Sequence, residues 1–124
     1  MRFSASLPAL LLCSGALAAE PKRVVSTDPQ SQPESVTVAP DGSLFLSSAS
    51  KPVIYRATKG ASQAQTSIDA SAERNVSFLG VLADGSTNAL WACQIIGVGK
   101  DRRSILRSFD LTSAAPRFSL AAPR

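Results

Sequence analysis

Residues 33–48, PESVTVAPDGSLFLSS, decide the fold. Val36, Thr37 and Val38 form a short β-favouring run. Asp41-Gly42 follows, a hairpin signal because glycine accepts a positive φ. Leu44-Phe45-Leu46 then reads as a second strand, apolar on both faces, which must be covered on both sides. Outward from there, Lys51-Pro52 breaks the run and Val53-Ile54-Tyr55-Arg56 makes a third strand. Lys59-Gly60 turns the chain again, and Gln65 to Ile68 gives a weaker fourth strand.

The pattern then recurs. Phe78 to Leu82 precedes Asp84-Gly85, Leu90-Trp91-Ala92-Cys93 follows, and Ile105 to Phe109 and Arg117 to Leu120 complete it. Asp41-Gly42 maps to Asp84-Gly85 at an offset of 43, Leu44-Phe45 to Leu90-Trp91 at 46, and Ile54-Tyr55-Arg56 to Ile105-Leu106-Arg107 at 51. Longer loops in the second copy explain the growing offset. No long segment beyond residue 33 has helical periodicity, so the chain is read as all-β, with two four-stranded antiparallel sheets near 34–70 and 77–121. Such a pattern fits propeller blades, and it also fits an ordinary eight-stranded sandwich or meander.

Ahead of the strands, residues 20–33 are polar and proline-rich and read as an extended lead-in. Residues 1–19, MRFSASLPALLLCSGALAA, follow the secretory plan: Arg2, a short apolar stretch around Leu10–Leu12, and the small-x-small site Ala16-Leu17-Ala18. The apolar stretch is too short to span a bilayer, so it predicts a secreted or periplasmic protein rather than a membrane-anchored one. Leu12 before Cys13 does not fit a lipoprotein site. Cleavage removes Arg2 and Cys13, lowering the net charge from +4 to +3 and leaving Cys93 as the one thiol.

Composition narrows the chemistry. The 124-residue chain has no His, which excludes Ser-His-Asp and Cys-His relays and any imidazole metal site. One mature cysteine makes neither an intrachain disulfide nor a zinc cluster. Lys100, Arg102 and Arg103 are the only basic cluster and read as a solvated loop, so no nucleic-acid partner is expected. Phe45 and Trp91 read as core. Cys93 alternates with Trp91 and reads as a buried thiol on the same face. Arg56 and Arg107 read as matching residues that keep an outer edge soluble. Asp41 and Asp84 read as turn residues, while Asn75, Asn88 and Gln94 are polar side chains with no motif around them.

The wording of the strands adds a resemblance. PESVTVAPDGSLFLSS is similar to the opening inner strands of a blade in the senescence-marker-protein, gluconolactonase and strictosidine-synthase-like propellers. KPVIYRATKG resembles the third strand of that blade, and FLGVLADGSTNALWACQ with SILRSFDLTSAAPRFSL resembles the next one. The likeness covers about residues 33–120. It implies a partial six-bladed β-propeller, blades at about 34–70 and 77–121, and hence a fragment, a truncated frame or one third of an assembly. In lactonase members a divalent metal such as calcium or zinc sits on the axis, and Glu34 matches the position of its first carboxylate ligand. The offset of 43 puts Ser77 at the equivalent place in the second copy, and the later ligands have no counterpart here. Two readings follow. The first is a non-catalytic binding or interaction module without a cofactor, associating through its open blade faces, with a trimer as the closed form. The second is a metal-dependent lactonase-like hydrolase whose site other chains or further sequence would complete.

Overall fold

In a computed structural model, which describes residues 23–73 and 77–123, the chain is all-β. The leader at 1–19 and Asn75 lie outside the described residues. Nine strands run in order: β1 (Val25–Ser26), β2 (Pro33–Val38), β3 (Leu44–Ser48), β4 (Val53–Ala57), β5 (Gln63–Asp69), β6 (Ser77–Asp84), β7 (Ala89–Ile96), β8 (Arg103–Asp110) and β9 (Pro116–Ala121). Helix is confined, among the described residues, to the 3-10 turn Gly99–Asp101. The strands form two sheets, ordered β1-β5-β4-β3-β2 and β6-β7-β8-β9. Every strand named from the sequence is present, each within a few residues of its expected limits.

The lead-in is more than a linker. Val25-Ser26 pairs in parallel with Gln63-Ala64, so the first sheet has five strands rather than four. Val25 N donates to Ser62 O and Thr27 N to Ala64 O, both at 3.0 Å. Val24 packs on a small core of Val53, Tyr55, Ala57 and Ala64, together with Leu44 and Leu46. Apolar residues on the back of the first sheet had to be covered, and the lead-in covers the outer part of it.

Asp28 fastens this lead-in. Its carboxylate accepts from Lys51 Nζ at 2.6 Å, Tyr55 Oη at 2.8 Å and Gln30 N at 2.9 Å. The Lys51 bond first, then Gln30 N–H and the Tyr55 hydroxyl, hold the Asp28 pKa at about 2 instead of 3.8. Burial, then the Asp28 bond, pushes Tyr55 up to about 12. A carboxylate whose pKa is depressed on folding adds stability above its unfolded value and loses it as pH falls through the folded one. Asp28→Asn is therefore expected to lower the urea midpoint at pH 7, and the gap from the parent protein should close between pH 3.8 and about 2. A gap that stays constant across that range would remove Asp28 from this role.

The two sheets pack face to face. Phe45, Ile54 and Ile68 of the first meet Phe78, Leu90 and Phe109 of the second in one buried cluster. Phe78 and Phe109 stack edge to face with centroids 6.1 Å apart. Where β2 and β3 meet β6 the join is polar. Val81 N donates to Ser35 Oγ at 3.3 Å, Ala83 N donates to Thr37 Oγ1 at 3.0 Å, and Ser47 Oγ donates to Leu79 O. These hydroxyls satisfy the free edge of β6, which would otherwise present unpaired backbone groups.

Pairing registers fix which side chain faces where. In the first sheet Thr37, Phe45 and Arg56 stand opposite one another across three strands. In the second the matching row is Leu82, Trp91, Ser108 and Phe118. The residue at the register of Arg56 is thus Ser108, not Arg107. A one-residue slip reverses the face of a strand residue. Arg56 lies over Phe45 at 5.3 Å, pairs with Asp41 at 2.9 Å and reaches Thr112 O in the other sheet at 3.4 Å. Arg107 lies over Phe109 at 5.1 Å and pairs with Glu73 at 2.7 Å. Neither arginine occupies an outer edge, because β4 and β8 are interior strands of their sheets. Each arginine caps an aromatic ring of the shared core.

Candidate functional site

Glu34, the residue singled out for metal, is exposed near the start of β2. It sits in a register irregularity, where residues 34 and 35 face the single residue Ser47. β6 has the same irregularity, with residues 79 and 80 facing Cys93. By register the counterpart of Glu34 is therefore Leu79, not Ser77. Among the described residues no three of His, Cys, Asp and Glu gather where a metal could be held. A divalent cation needs several oxygen ligands, so Glu34 alone does not fit one. A cleft of about 380 Å³ opens at the strand ends, lined by Ser50, Ser77, Gly97, Val98 and Arg102 among others, and Glu34 stands outside its lining.

The other carboxylates named from sequence serve turns. Asp41 accepts from Ser43 N at 2.8 Å, and that bond leads in holding its pKa below the usual value. Asp84 accepts from Ser86 Oγ at 2.6 Å and Thr87 Oγ1 at 2.6 Å, with the same effect. Ionised carboxylates committed to hydrogen bonds do not act as proton donors near neutral pH. Gly42 takes φ 80°, as a hairpin glycine should, but in the β6–β7 turn the positive φ belongs to Asn88, at 51°. Asn88 also donates to Asp110 Oδ2 at 3.2 Å and so ties its turn to the end of β8. Gln94 is fully buried and accepts from Arg107 at 3.1 Å; its Nε2 has no partner.

What the fold does bring together is an apolar surface. Trp91 and Cys93 point away from the shared core, onto the outer face of the second sheet. Cys93 is exposed, against the expectation of a buried thiol, and Trp91 is half-buried rather than in the core between the sheets. Their alternation was read correctly, but the face was not: Leu90 and Ala92 take the inward positions, at 1% exposure each. Around Trp91 and Cys93 stand Leu82, Leu106, Phe118 and Leu120, all exposed large hydrophobics. Trp91 and Phe118 stack edge to face at 6.1 Å. Two shallow clefts of about 290 and 240 Å³ run across this face, sharing Cys93 and Leu106. Several large apolar side chains thus lie exposed together on one face of the second sheet. Strand alternation in 90–93, 105–109 and 117–120 held the signal for this face. Reading it required the register of four strands at once.

Among the described residues no helix is long and apolar enough to cross a membrane. Compared with known protein families, curated proteins and solved structures, the chain matches none.

The lone carboxylate leads to a direct expectation. With calcium, zinc or manganese supplied, the chain should hydrolyse no lactone above the buffer rate, read by pH-stat. Turnover that disappeared in Glu34→Gln would instead place Glu34 in an assembled site.

Proposed function

We propose that this chain is an exported partial β-propeller of two blades, non-catalytic by itself, which acts as a binding or interaction module through its uncovered sheet face. The observation that carries this reading is the matched irregularity: β2 and β6 each gain one residue on their partner strand at the same place. Bulges of this kind are built features of a fold, and two at one register favour two copies of one blade. The strand phrases in residues 33–120 name the kind of blade. The exposed apolar face supports binding rather than catalysis, and the single carboxylate at Glu34 gives a metal too little to hold. A net charge of +3 after cleavage, spread along the chain, favours neither nucleic acid nor an anionic membrane as partner. Two blades are a third of a six-bladed ring, and three chains would close one under cyclic symmetry.

Two measurements test the proposal. The full frame, expressed in a bacterial host with a periplasm, should yield exported protein beginning at Ala19 or Glu20 by N-terminal sequencing. Retention of Met1 in the cytoplasm would overturn export. Light scattering on the exported protein at micromolar concentration should give a mass above one chain. A cooperative, stable single chain would overturn the two-blade reading.

A further inference from the structure

The geometry points to a second copy of this chain as the occupant of the free face of the second sheet, seated there by the back of its own first sheet, head to tail. This rests on the two-blade reading above and names the partner of its exposed face.

The chain already contains one such joint. The inward face of the first sheet is covered by the back of the second, and the residues that do it are known. Phe45, Ile54 and Ile68 are the side chains covered. By register their counterparts on the free face are Trp91, Leu106 and Leu120, which are again large and apolar. Val81, Leu90 and Ala92 are among the residues that cover them. By register their counterparts on the back of the first sheet are Val36, Leu44 and Leu46, which are again aliphatic. Among the described residues that back is covered in its outer part, by Val24 of the lead-in. Its inner part, at β2, lies open, with Val36 and Val38 about 60% and 61% exposed. The chain thus displays both halves of a joint it already makes internally, and cannot bring them together within itself. A second copy supplies the missing half at each end.

The new seam differs from the internal one in one respect. Ser35, Thr37 and Ser47 bond to β6 inside the chain; Gly80, Leu82 and Cys93 stand in those places on the free face. The intermolecular contact is therefore apolar where the internal one is hydrogen-bonded, and Cys93 lies within it.

A pair of complementary variants tests this. Leu82→Asp spoils the free face and leaves the back intact; Val38→Asp spoils the back and leaves the face intact. Each position is 61% exposed, so neither change removes a buried contact. By sedimentation each variant alone should run as single chains, and their mixture should form a one-to-one pair and nothing larger. In the parent protein, maleimide labelling of Cys93 should slow as concentration rises, and in either variant alone it should not. If Val38→Asp still associates alone, the free face pairs with itself and the head-to-tail joint is wrong. If the mixture stays as single chains while the parent protein associates, the joint is wrong and the two-blade reading stands. If the parent protein itself is a stable single chain, both fail. Phe118→Lys and Val36→Lys form a second complementary pair, to be used if circular dichroism shows that either first variant does not fold.

Discussion

Phe78→Ala is expected to cost about 3–5 kcal/mol and to leave much of the chain unfolded at room temperature. Phe78 has no exposed surface, and its ring sits in the cluster shared by both sheets, edge to face with Phe109. Truncation removes the buried area and the aromatic pair and leaves a hole that rigid strands on both sides cannot close. A small domain has about 5–15 kcal/mol in total, so one such loss takes a large share. The control is Phe118→Ala. Phe118 makes the same kind of edge contact, with Trp91, but is 47% exposed. In dilute single chains its loss should cost about 1 kcal/mol or less, in the range usual for a surface change. Urea midpoints of both variants at low concentration decide the matter. Equal shifts would mean that the sheets do not share one core around Phe78.

Gly85→Ala is expected to cost about 1–3 kcal/mol through overpacking. Gly85 sits in the β6–β7 turn, and a Cβ placed there falls inside the contact distance of Pro40 Cγ, in the β2–β3 region of the other sheet. The Pro40 ring cannot swing aside as a flexible side chain would, so the methyl must push the sheets apart at that end. The origin of the cost is tested by removing the ring. Pro40→Ala together with Gly85→Ala should recover most of the loss, a coupling a double-mutant cycle reads directly. If Gly85→Ala costs the same with and without Pro40, the strain is local to the turn and not between the sheets.

Gly85 also shows how far the sequence could be read. In sequence Asp84-Gly85 reads as a hairpin pair on the strength of glycine's backbone freedom, as does Asp41-Gly42. The turn is there, but the positive φ falls on Asn88, and glycine is needed for the Pro40 ring that approaches it from the β2–β3 turn. Local chemistry placed the turn; a neighbour 45 residues away set the reason, and no local pattern carries that. The same holds for the arginines. Ile54-Tyr55-Arg56 and Ile105-Leu106-Arg107 look alike as strings, yet register pairs Arg56 with Phe45 and puts Ser108 opposite Trp91. Strand identity is a period-two property of a few residues; facing depends on the loops before it, and here those loops differ in length. Glu34 stands out by resemblance alone, and among the described residues it joins no group of three His, Cys, Asp or Glu that could hold a metal. The apolar face around Trp91 and Cys93 went unnoticed because alternation says that two side chains share a face, not which face is covered.

The short parallel strand at Val25-Ser26 has a consequence for vectorial synthesis. Its partner residues, Gln63 and Ala64, lie almost forty positions downstream. As the chain emerges amino end first, β2, β3 and β4 can zip as successive hairpins from nearby contacts, which close quickly. β1 cannot dock until β5 has cleared the channel. Until then the small cluster of Val53, Tyr55, Ala57 and Ala64 lacks Val24, and Asp28 lacks both Lys51 and Tyr55. The amino-terminal segment is thus the first part of its sheet to be made and the last part of that sheet to be seated. Through that interval the nascent chain carries an open apolar back, the kind of surface that chaperones hold.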